Sequence, residues 1–349
     1  MKGIRALARH LNISVSTVSK ALNGRFDTNA ETRKRVLEAA AELGYVANQA
    51  GRALRQGATR TVGFMIESNQ ASPTDSDNFF MAVYDGVQTV FRRHHLDLIV
   101  LPCASDEDPA DYLGRMVARG LVDAVIISAT RRKDPRIALL EKARIPFIAL
   151  GRSGDVSHPW IELDFEGVAR QSVHRLVERG HRNIAVSLPA TDLNLGYLFL
   201  KGYKRGLKDH AIPFEPAYAI HTESSEDGGY QLGTTLIGLS PRPSAVILSY
   251  ELPAPGLYRA LHDGGLVIGK DLGVIAFRES PITRHLVPRI TSYRTSLKDL
   301  GVALGETLLS TMPDFREAYP DSEHQRIWPM ELVAADSDPY LDKRGRNRK

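Results

Sequence analysis

Apolar residues near the start of the chain recur with the spacing of one helix face, in two short runs. The positions are Ile4, Leu7, Ala8 and Leu11, then Val15, Val18, Ala21 and Leu22. Both runs fit a period of 3.6 residues, and the break at residues 10–13 has room only for a tight turn. Ser14 is placed to cap the second helix. The pattern predicts a helix-turn-helix over residues 4–24, and the alternative is an ordinary amphipathic helical hairpin.

The second predicted helix has a polar outer face made mainly of small side chains. Its members are Ser16, Thr17, Ser19, Lys20 and Asn23. Short hydroxyls and one cation reach base edges and phosphates without holding the helix backbone away from DNA. This face therefore favours insertion into a major groove.

A third helix is predicted from a capping box formed by Thr28 and Glu31. Its predicted inner face consists of Val36, Leu37, Ala40 and Leu43. Gly44 is placed to end this helix, because glycine adopts the left-handed conformation that commonly follows a last helical turn.

From residue 61 the pattern changes to short β-branched runs that alternate with helical stretches. The predicted strands are 61–66, 97–101, 123–127, 146–150, 160–163, 183–188, 217–220, 245–248, 272–277 and 290–293. This alternation predicts parallel α/β layers joined by right-handed crossovers.

Charge is distributed unevenly between these two parts of the chain. Residues 1–60 carry 11 Lys and Arg against 4 Asp and Glu, whereas the remaining residues carry 34 against 37. A cationic amino-terminal part is the electrostatic footprint of phosphate binding. It therefore favours the DNA-binding interpretation over a plain helical hairpin.

Composition excludes several other classes. No apolar run approaches 18 residues and no export signal is visible, so we expect a cytoplasmic protein without a membrane span. Cys103 is the only cysteine, and no Cys/His spacing suggests a metal site. We therefore expect neither a metal nor a cofactor.

The first 60 residues resemble, without gaps, the LacI-type (lactose-repressor and purine-repressor) family of bacterial transcription regulators. The matching motifs are Thr17-Val18-Ser19, Leu22-Asn23-Gly24, Glu31-Thr32-Arg33, Arg35-Val36-Leu37, the E-L-G-Y of residues 42–45, and Arg52-Ala53-Leu54-Arg55. Weaker local matches follow in the same order at residues 121–126, 145–147, 180–184, 202–203, 272–277 and 300–305.

The resemblance implies a helix-turn-helix headpiece at 1–47 and a hinge helix or linker at 48–60. By position, Val15, Ser16 and Lys20 would meet base edges. Phosphates would be contacted by Ser14, Thr17, Asn23 and Arg33. In the hinge, the expected contacts are Ala50, Leu54 and Arg55, with Leu54 wedged into a minor-groove step. The alternative for Leu54 is a linker residue packed on the regulatory core.

The resemblance also implies an effector-binding and dimerisation core at 61–340, with two lobes like those of periplasmic binding proteins. Lobe one is expected at 61–162 plus 295–318, and lobe two at 163–294 plus 319–340. The effector would lie between the lobes, at the carboxyl ends of the strands. The basic segment 341–349 is expected to be a disordered tail.

The cleft residues depart from the family pattern. Phe199 and Arg278 stand where an arginine and an aspartate are common, and Tyr250-Glu251 replaces a common Asn-Asp pair. Gly151, followed by Arg152, replaces the usual acid after the fourth strand, whereas Asp164 keeps its family position. Ligand contacts known in the family therefore do not transfer directly.

The mixture of aromatic and charged residues suggests a carbohydrate effector, either an oligosaccharide or a sugar acid, because arginine binds carboxylates and paired hydroxyls. The candidate contacts are Phe79, Phe80, Arg152, Trp160, Asp164, Tyr197, Phe199, Tyr250, Glu251 and Arg278. Two alternatives stay open. The first is that Arg278 forms a salt bridge with Glu251 or Glu279, and the second is that Phe80 and Phe199 pack in the core.

These features together predict a transcriptional regulator, by family precedent a repressor, that binds a near-palindromic operator as a homodimer; a tetramer is left open. The alternative is a sugar-binding α/β protein or an enzyme with a non-functional headpiece. We find no catalytic constellation, and no G-x-G-x-x-G follows the first strand. The near P-loop at 264–270 leads into a strand and is followed by Asp271 where Ser or Thr is required.

Overall fold

The computed structural model describes residues 3–22, 29–45, 58–67, 76–154 and 157–341. The chain divides into two compact units, Met1–Arg60 and Thr61–Lys349. Among the described residues, no helix is both long and apolar enough to cross a bilayer.

The described residues of the first unit form three helices: α1 (Ile4–Leu11), α2 (Val15–Leu22) and α3 (Ala30–Glu42). They enclose a small core whose buried members are Leu7, Ala8, Val18, Ala21, Val36, Ala39 and Ala40. The Ser14 hydroxyl accepts a hydrogen bond from the backbone N–H of Thr17 at 3.0 Å. The predicted cap of the second helix is therefore confirmed.

The third helix differs from prediction at its start and on one face. Asn29 is the cap, because its Oδ1 accepts from the N–H of Glu31 at 2.9 Å; the predicted cap, Thr28, lies outside the described residues. Leu37 is 47% exposed and does not belong to the inner face. The burial of Ala39 in its place shows that the helix is rotated slightly from the predicted orientation.

The end of α3 is as predicted. Gly44 has a φ of 59°, and its N–H donates to the carbonyl of Ala41. The N–H of Tyr45 donates to the carbonyl of Ala40 at 2.8 Å. This pair of bonds is the Schellman arrangement, which satisfies carbonyls that the last helical turn leaves without partners.

The second unit is built on two parallel sheets. The first contains β1 (Thr61–Glu67), β2 (Asp97–Cys103), β3 (Ala124–Ile127), β4 (Phe147–Leu150), β5 (Trp160–Leu163) and β11 (Gln325–Trp328), in the spatial order β11-β5-β4-β3-β1-β2. The second contains β6 (Ile184–Pro189), β7 (Ala219–Thr222), β8 (Ala245–Leu248) and β9 (Gly273–Ala276), in the order β7-β6-β8-β9. A short antiparallel pair is formed by β10 (Ser292–Arg294) and β12 (Glu331–Val333).

The position of β11 corrects the predicted division into lobes. Segment 319–340 was expected wholly in lobe two, yet β11 pairs with β5 of the first sheet, with Trp328 opposite Leu163. The reason is that β5 would otherwise expose a row of unpaired backbone groups at the sheet edge. The remaining lobe boundaries stay predictions.

Helices connect and cover the strands of both sheets. They are α4 (Ser76–Phe91), α5 (Pro109–Ala118), α6 (Pro135–Ala143), α7 (Phe165–Glu178), α8 (Asn194–Asp209), α9 (Glu226–Gly238), α10 (Ala254–Asp263), α11 (Pro281–Arg284) and α12 (Leu297–Thr311). Single turns of 3-10 helix lie at Arg92–His94, Pro216–Tyr218 and Arg316–Ala318. One core runs beneath both sheets and includes Phe64, Ile161, Val186 and Phe277.

Glycines set the closest helix–helix contacts in this unit. Helices α4 and α12 cross where a Cβ on Gly301 would lie 2.1 Å from the carbonyl oxygen of Val83. On α8, a Cβ on Gly202 would lie 2.1 Å from the carbonyl oxygen of Glu166 on α7. Backbone atoms cannot move aside as a flexible side chain can, so these crossings require glycine.

We predict that Gly301→Ala destabilises the core by about 1–3 kcal/mol, because the added methyl group forces α4 and α12 apart. Gly238→Ala is the matched control, since nothing lies within 4 Å of its Cβ position. Urea unfolding followed by circular dichroism measures both variants. Equal midpoints for the two variants would contradict the close crossing.

Candidate nucleic-acid interface and effector cleft

The outer face of α2 carries the residues predicted to read bases. Val15 and Ser16 are exposed, and Lys20 is half-buried. Val18 and Ala21, on the opposite face, are fully buried in the three-helix core. Packing therefore holds α2 with its polar face outward, as insertion into a groove requires.

A concave surface lies between α1 and the start of α2, with a volume of about 520 Å³. Its lining residues are Arg5, Ala8, Arg9, Asn12, Ile13, Ser14 and Val15. Residues 3–22 contain no acidic side chain, so this surface is purely cationic. Arg5 and Arg9, which are exposed one helical turn apart, are candidate phosphate contacts that the sequence reasoning missed, although their i, i+4 spacing was visible.

Some of the other predicted DNA contacts lie within the described residues and some lie outside them. Within them, the Thr17 hydroxyl lies 2.8 Å from that of Ser14, and Arg33 is exposed on α3. The predicted contacts Asn23, Ala50, Leu54 and Arg55 lie outside the described residues and stay predictions.

In the second unit, two charged candidates follow neighbouring strands and form a buried ion pair. Glu251 follows β8 and Arg278 follows β9, and their side chains are 6% and 12% exposed. Arg278 Nη2 donates to Glu251 Oε1, and Nη1 donates to the carbonyl of Glu279 at 3.3 Å. Of the two interpretations left open for Arg278, the structure shows the salt bridge with Glu251.

Arg278 also contacts an aromatic cluster on the first sheet's side of the cleft. Its guanidinium carbon lies 5.2 Å from the ring centroid of Phe79, at the start of α4. The Phe79 and Phe80 rings meet edge to face at 5.1 Å, and Phe80 packs in turn against Phe64 and Tyr84. Arg278 therefore links the two sheets through a cation–π contact. Phe79 and Phe80 are both half-buried against the core.

Tyr250 precedes Glu251 at the end of β8. Burial raises the pKa of its phenol, and the neighbouring Glu251 carboxylate raises it further. The hydroxyl therefore stays protonated at physiological pH and is available as a hydrogen-bond donor.

A second ion pair involves a residue that the sequence reasoning missed. Glu162, in the middle of β5, is almost fully buried, and its Oε1 lies 3.1 Å from Nε of Arg152. Its Oε2 accepts from the backbone N–H of Arg152 at 3.2 Å. Burial raises the pKa of Glu162 to about 7, although Arg152 opposes the shift. A charged residue inside an otherwise apolar strand was the available signal.

This second pair borders a cavity of about 270 Å³. Its lining residues are Arg152, Glu162, Asp164, Glu166, Gly167, Arg170, Arg205 and Ile327. Asp164 also caps α7, because its Oδ1 accepts from the N–H of Gly167 at 2.8 Å. Arg152 and Asp164 thus line one cavity, and their role in effector binding stays a prediction.

Phe199 and Trp160 pack in the core, which for Phe199 is the alternative that the sequence left open, whereas the role of Tyr197 stays a prediction. Phe199 is fully buried and its ring packs against Phe277 at 6.1 Å, so it belongs to the core. Trp160 is buried in the core cluster on one face of the first sheet, with the guanidinium of Arg152 5.4 Å from its ring. Neither ring offers an open face to a ligand. Tyr197 is 45% exposed, and its hydroxyl donates to Asp192 at 2.7 Å.

Asn194, another residue that the sequence reasoning missed, joins the two sides of the cleft. Its backbone N–H donates to the carbonyl of Thr130 at 2.9 Å, and its Nδ2 donates to the carbonyl of Arg152 at 2.8 Å. Asn194 begins α8 beside the second sheet, whereas Thr130 and Arg152 follow strands of the first. The cleft is therefore bridged by direct hydrogen bonds.

Two family models match the chain. "Bacterial regulatory proteins, lacI family" covers residues 4–48, and "Periplasmic binding protein-like domain" covers residues 173–337. The HTH-type transcriptional regulator AglR of Rhizobium meliloti (strain 1021) is 31% identical over 348 residues, which is 97% of this chain and 95% of that protein. RafR of Escherichia coli is 32% identical over 269 residues, 77% of this chain and 79% of that protein.

Solved structures share the fold. The lac repressor dimer bound to operator and the anti-inducer ONPF has a TM-score of 0.82 at 21% identity, covering 95% of this chain and 98% of that one. The transcriptional regulator CelR–cellobiose complex has a TM-score of 0.71 at 23% identity, covering 96% and 99%. With a helix-turn-helix unit, a two-sheet core and a full-length relative above 30% identity, this chain belongs to the LacI family of bacterial regulatory proteins.

Proposed function

We propose that this protein is a transcriptional repressor that binds a near-palindromic operator as a homodimer, and that a carbohydrate bound between its lobes controls operator affinity. The observation that carries the proposal is the acid-free outer surface of α1 and α2, joined in one chain to a core whose cleft is lined by charged groups. The relatives AglR and RafR are both HTH-type transcriptional regulators, which supports the same class of function here.

Pairing of two chains would supply two headpieces for the two half-sites of an operator. A two-fold symmetric dimer matches a palindromic sequence, so the half-site spacing follows from the protein's symmetry. The lac repressor relative was solved as a dimer on its operator, which supports this arrangement. A tetramer is the alternative assembly.

The carbohydrate class is supported by the chemistry of the cleft. In an ion pair, the carboxylate and the guanidinium group hold each other in place. The carboxylate can still accept hydrogen bonds from sugar hydroxyls, and the guanidinium group can still donate to them. The cavity of about 270 Å³ is near the lower end of typical ligand pockets. A solved relative is a cellobiose complex, which agrees with this class.

Coupling between cleft and headpiece would run through the relative pose of the lobes. An effector that binds one pose more tightly shifts the population toward that pose, and operator affinity changes with it. Hydrogen bonds from Asn194 to Thr130 and Arg152 join the two sides of the cleft, so an opening of the cleft would have to break them.

The direct test is a gel-shift screen of the full-length protein against fragmented genomic DNA, with and without a panel of sugars. We expect retention of a small set of fragments that share a near-palindrome, and a change in retention with at least one sugar. Failure to retain any fragment at low ionic strength would contradict the proposal.

We predict that Lys20→Ala relaxes sequence preference at one base position in each half-site. The loss of a lysine donor to guanine acceptors removes about 1–3 kcal/mol of discrimination at that position. Selection of binding sites from a random duplex library measures the profile. Lys34→Ala, on the exposed surface of α3, is the control and should leave the profile unchanged. An unaltered profile for Lys20→Ala would remove this residue from base readout.

We also predict that Leu54→Ala weakens operator binding far more than nonspecific binding, because a wedge acts only at the kinked step. Leu54→Met is the matched control, since it keeps a large apolar side chain. Fluorescence anisotropy with operator and random-sequence duplexes gives both affinities. Equal losses on the two DNAs would show that Leu54 is not a wedge.

The buried Glu162 makes stability depend on pH. Because its pKa is raised to about 7, the folded protein holds a proton that the unfolded chain has already lost above the ordinary value of 4.5. The free energy of unfolding should therefore fall between about pH 4.5 and 7, by about 3 kcal/mol for a shift of this size. Glu162→Gln should lack this fall.

Urea unfolding at pH 5 and pH 8 measures the difference. Glu141→Gln, at an exposed site, serves as the control and should retain the wild-type pH dependence. The same pH dependence in Glu162→Gln and wild type would show that the buried carboxyl does not titrate as described.

A further inference from the structure

We infer that the cleft accepts uncharged effectors and rejects sugar acids and sugar phosphates. This inference rests on the proposed function, because it specifies the charge of the molecule bound at that site. It decides between the two carbohydrate classes that the sequence left open.

The first reason is that both arginines suited to bind an anion already have a carboxylate partner. Arg278 is paired with Glu251, and Arg152 with Glu162. All four side chains are largely buried, and each pair is further held by backbone hydrogen bonds, from Arg278 to the Glu279 carbonyl and from the Arg152 N–H to Glu162. These arginines therefore present a dipole to the cleft and not a free positive charge.

The second reason is the balance of charge around the cavity. Its three arginines, Arg152, Arg170 and Arg205, face the three carboxylates of Glu162, Asp164 and Glu166. Beyond the Arg152 pair, Arg170 Nε lies 2.7 Å from Asp209 and Arg205 Nη1 lies 4.0 Å from Glu166. Every arginine that lines this cavity thus has a carboxylate neighbour.

Other cations near the strand ends do not alter this balance. Arg131 donates two hydrogen bonds to Glu67, at 2.9 and 2.7 Å, and the buried Arg136 pairs with both Glu67 and Asp134. Lys133, in the same loop, is exposed to water and salt, which screen its charge. Arg132 is exposed, with its guanidinium carbon 4.7 Å from the ring centroid of Tyr197, where water and salt screen its charge. Residues 68–75, which lie outside the described part of the chain, contain one aspartate and no lysine or arginine.

An anionic ligand would have to take an arginine from its glutamate. The displaced Glu251 carboxylate would stay buried without a partner, and so would that of Glu162 above its pKa of about 7. The cost of leaving a buried charge unpaired exceeds the gain from the new pair. A neutral polyol avoids this exchange. Its hydroxyls donate to the remaining carboxylate lone pairs and accept from the remaining guanidinium N–H groups while each ion pair stays intact.

The test compares glucose with glucuronate, two sugars of similar shape that differ in charge. Thermal unfolding of the full-length protein is recorded at pH 8, where Glu162 is ionised, with equal concentrations of each sugar and constant ionic strength. For wild type we expect glucuronate to raise the midpoint no more than an equal concentration of potassium chloride does.

Glu251→Gln supplies the decisive contrast. Removing the carboxylate leaves Arg278 with an uncompensated charge, so glucuronate should now raise the midpoint by roughly 2–4 °C relative to glucose. Glu141→Gln, which removes an exposed carboxylate, should behave as wild type. If Glu251→Gln does not fold, Glu162→Gln tests the same reasoning at Arg152.

Two results would overturn the inference: stabilisation of wild type by glucuronate as large as that of the variant, or no response in either glutamate variant. The gel-shift screen tests the proposed function independently of the charge preference. Retention of DNA together with release by a sugar acid would contradict only the charge preference. Absence of DNA retention would contradict the proposed function itself.

Discussion

A charge buried at the end of a strand must have a partner, and this requirement shapes the cleft of the protein. Parallel strands place the loops that follow them at one edge of each sheet, so side chains distant in sequence meet there. Arg278, which follows β9, meets Glu251, which follows the neighbouring β8, whereas Arg152, which follows β4, meets Glu162 within the neighbouring β5. The cleft is therefore polar in its individual groups yet balanced in total charge.

In α1 and α2 of the headpiece, by contrast, the positive charges are not balanced by carboxylates on the same helices. The headpiece core consists of a few apolar residues, and Arg5 and Arg9 are exposed on a surface that has no acid on α1 or α2. An exposed, unbalanced positive surface attracts a polyanion over a distance of about 10 Å at moderate salt. One chain thus combines a unit suited to the DNA backbone with a unit suited to a small polar molecule.

Local features were predictable from the sequence because local physics decides them. The Ser14 cap and the Gly44 helix end depend only on neighbouring backbone groups, and both are present. The buried strands of both sheets were visible as β-branched runs for a similar reason. Strand β11 was missed because three of its four residues are exposed and its partner, β5, lies far away in sequence.

The cleft was less predictable, because hydropathy does not separate a ring that binds a ligand from one that packs. Phe199 and Trp160 lie in the core, whereas Phe79 reaches Arg278 across the cleft. Glu162 escaped notice because nothing local shows that a strand glutamate faces an arginine ten residues earlier. The candidate residues were chosen by their positions in the family pattern. Only the three-dimensional structure shows which of their charged groups form ion pairs with one another.

The proposed function requires that effector binding in the cleft be coupled to operator binding by the headpiece. Coupling of two binding sites is reciprocal, so an effector that changes operator affinity by some factor must have its own affinity changed by the same factor when operator is bound. Isothermal titration of the effector into free protein and into the protein–operator complex measures this factor directly. We expect the same factor from both directions, and identical effector affinities with and without operator would contradict the proposed coupling.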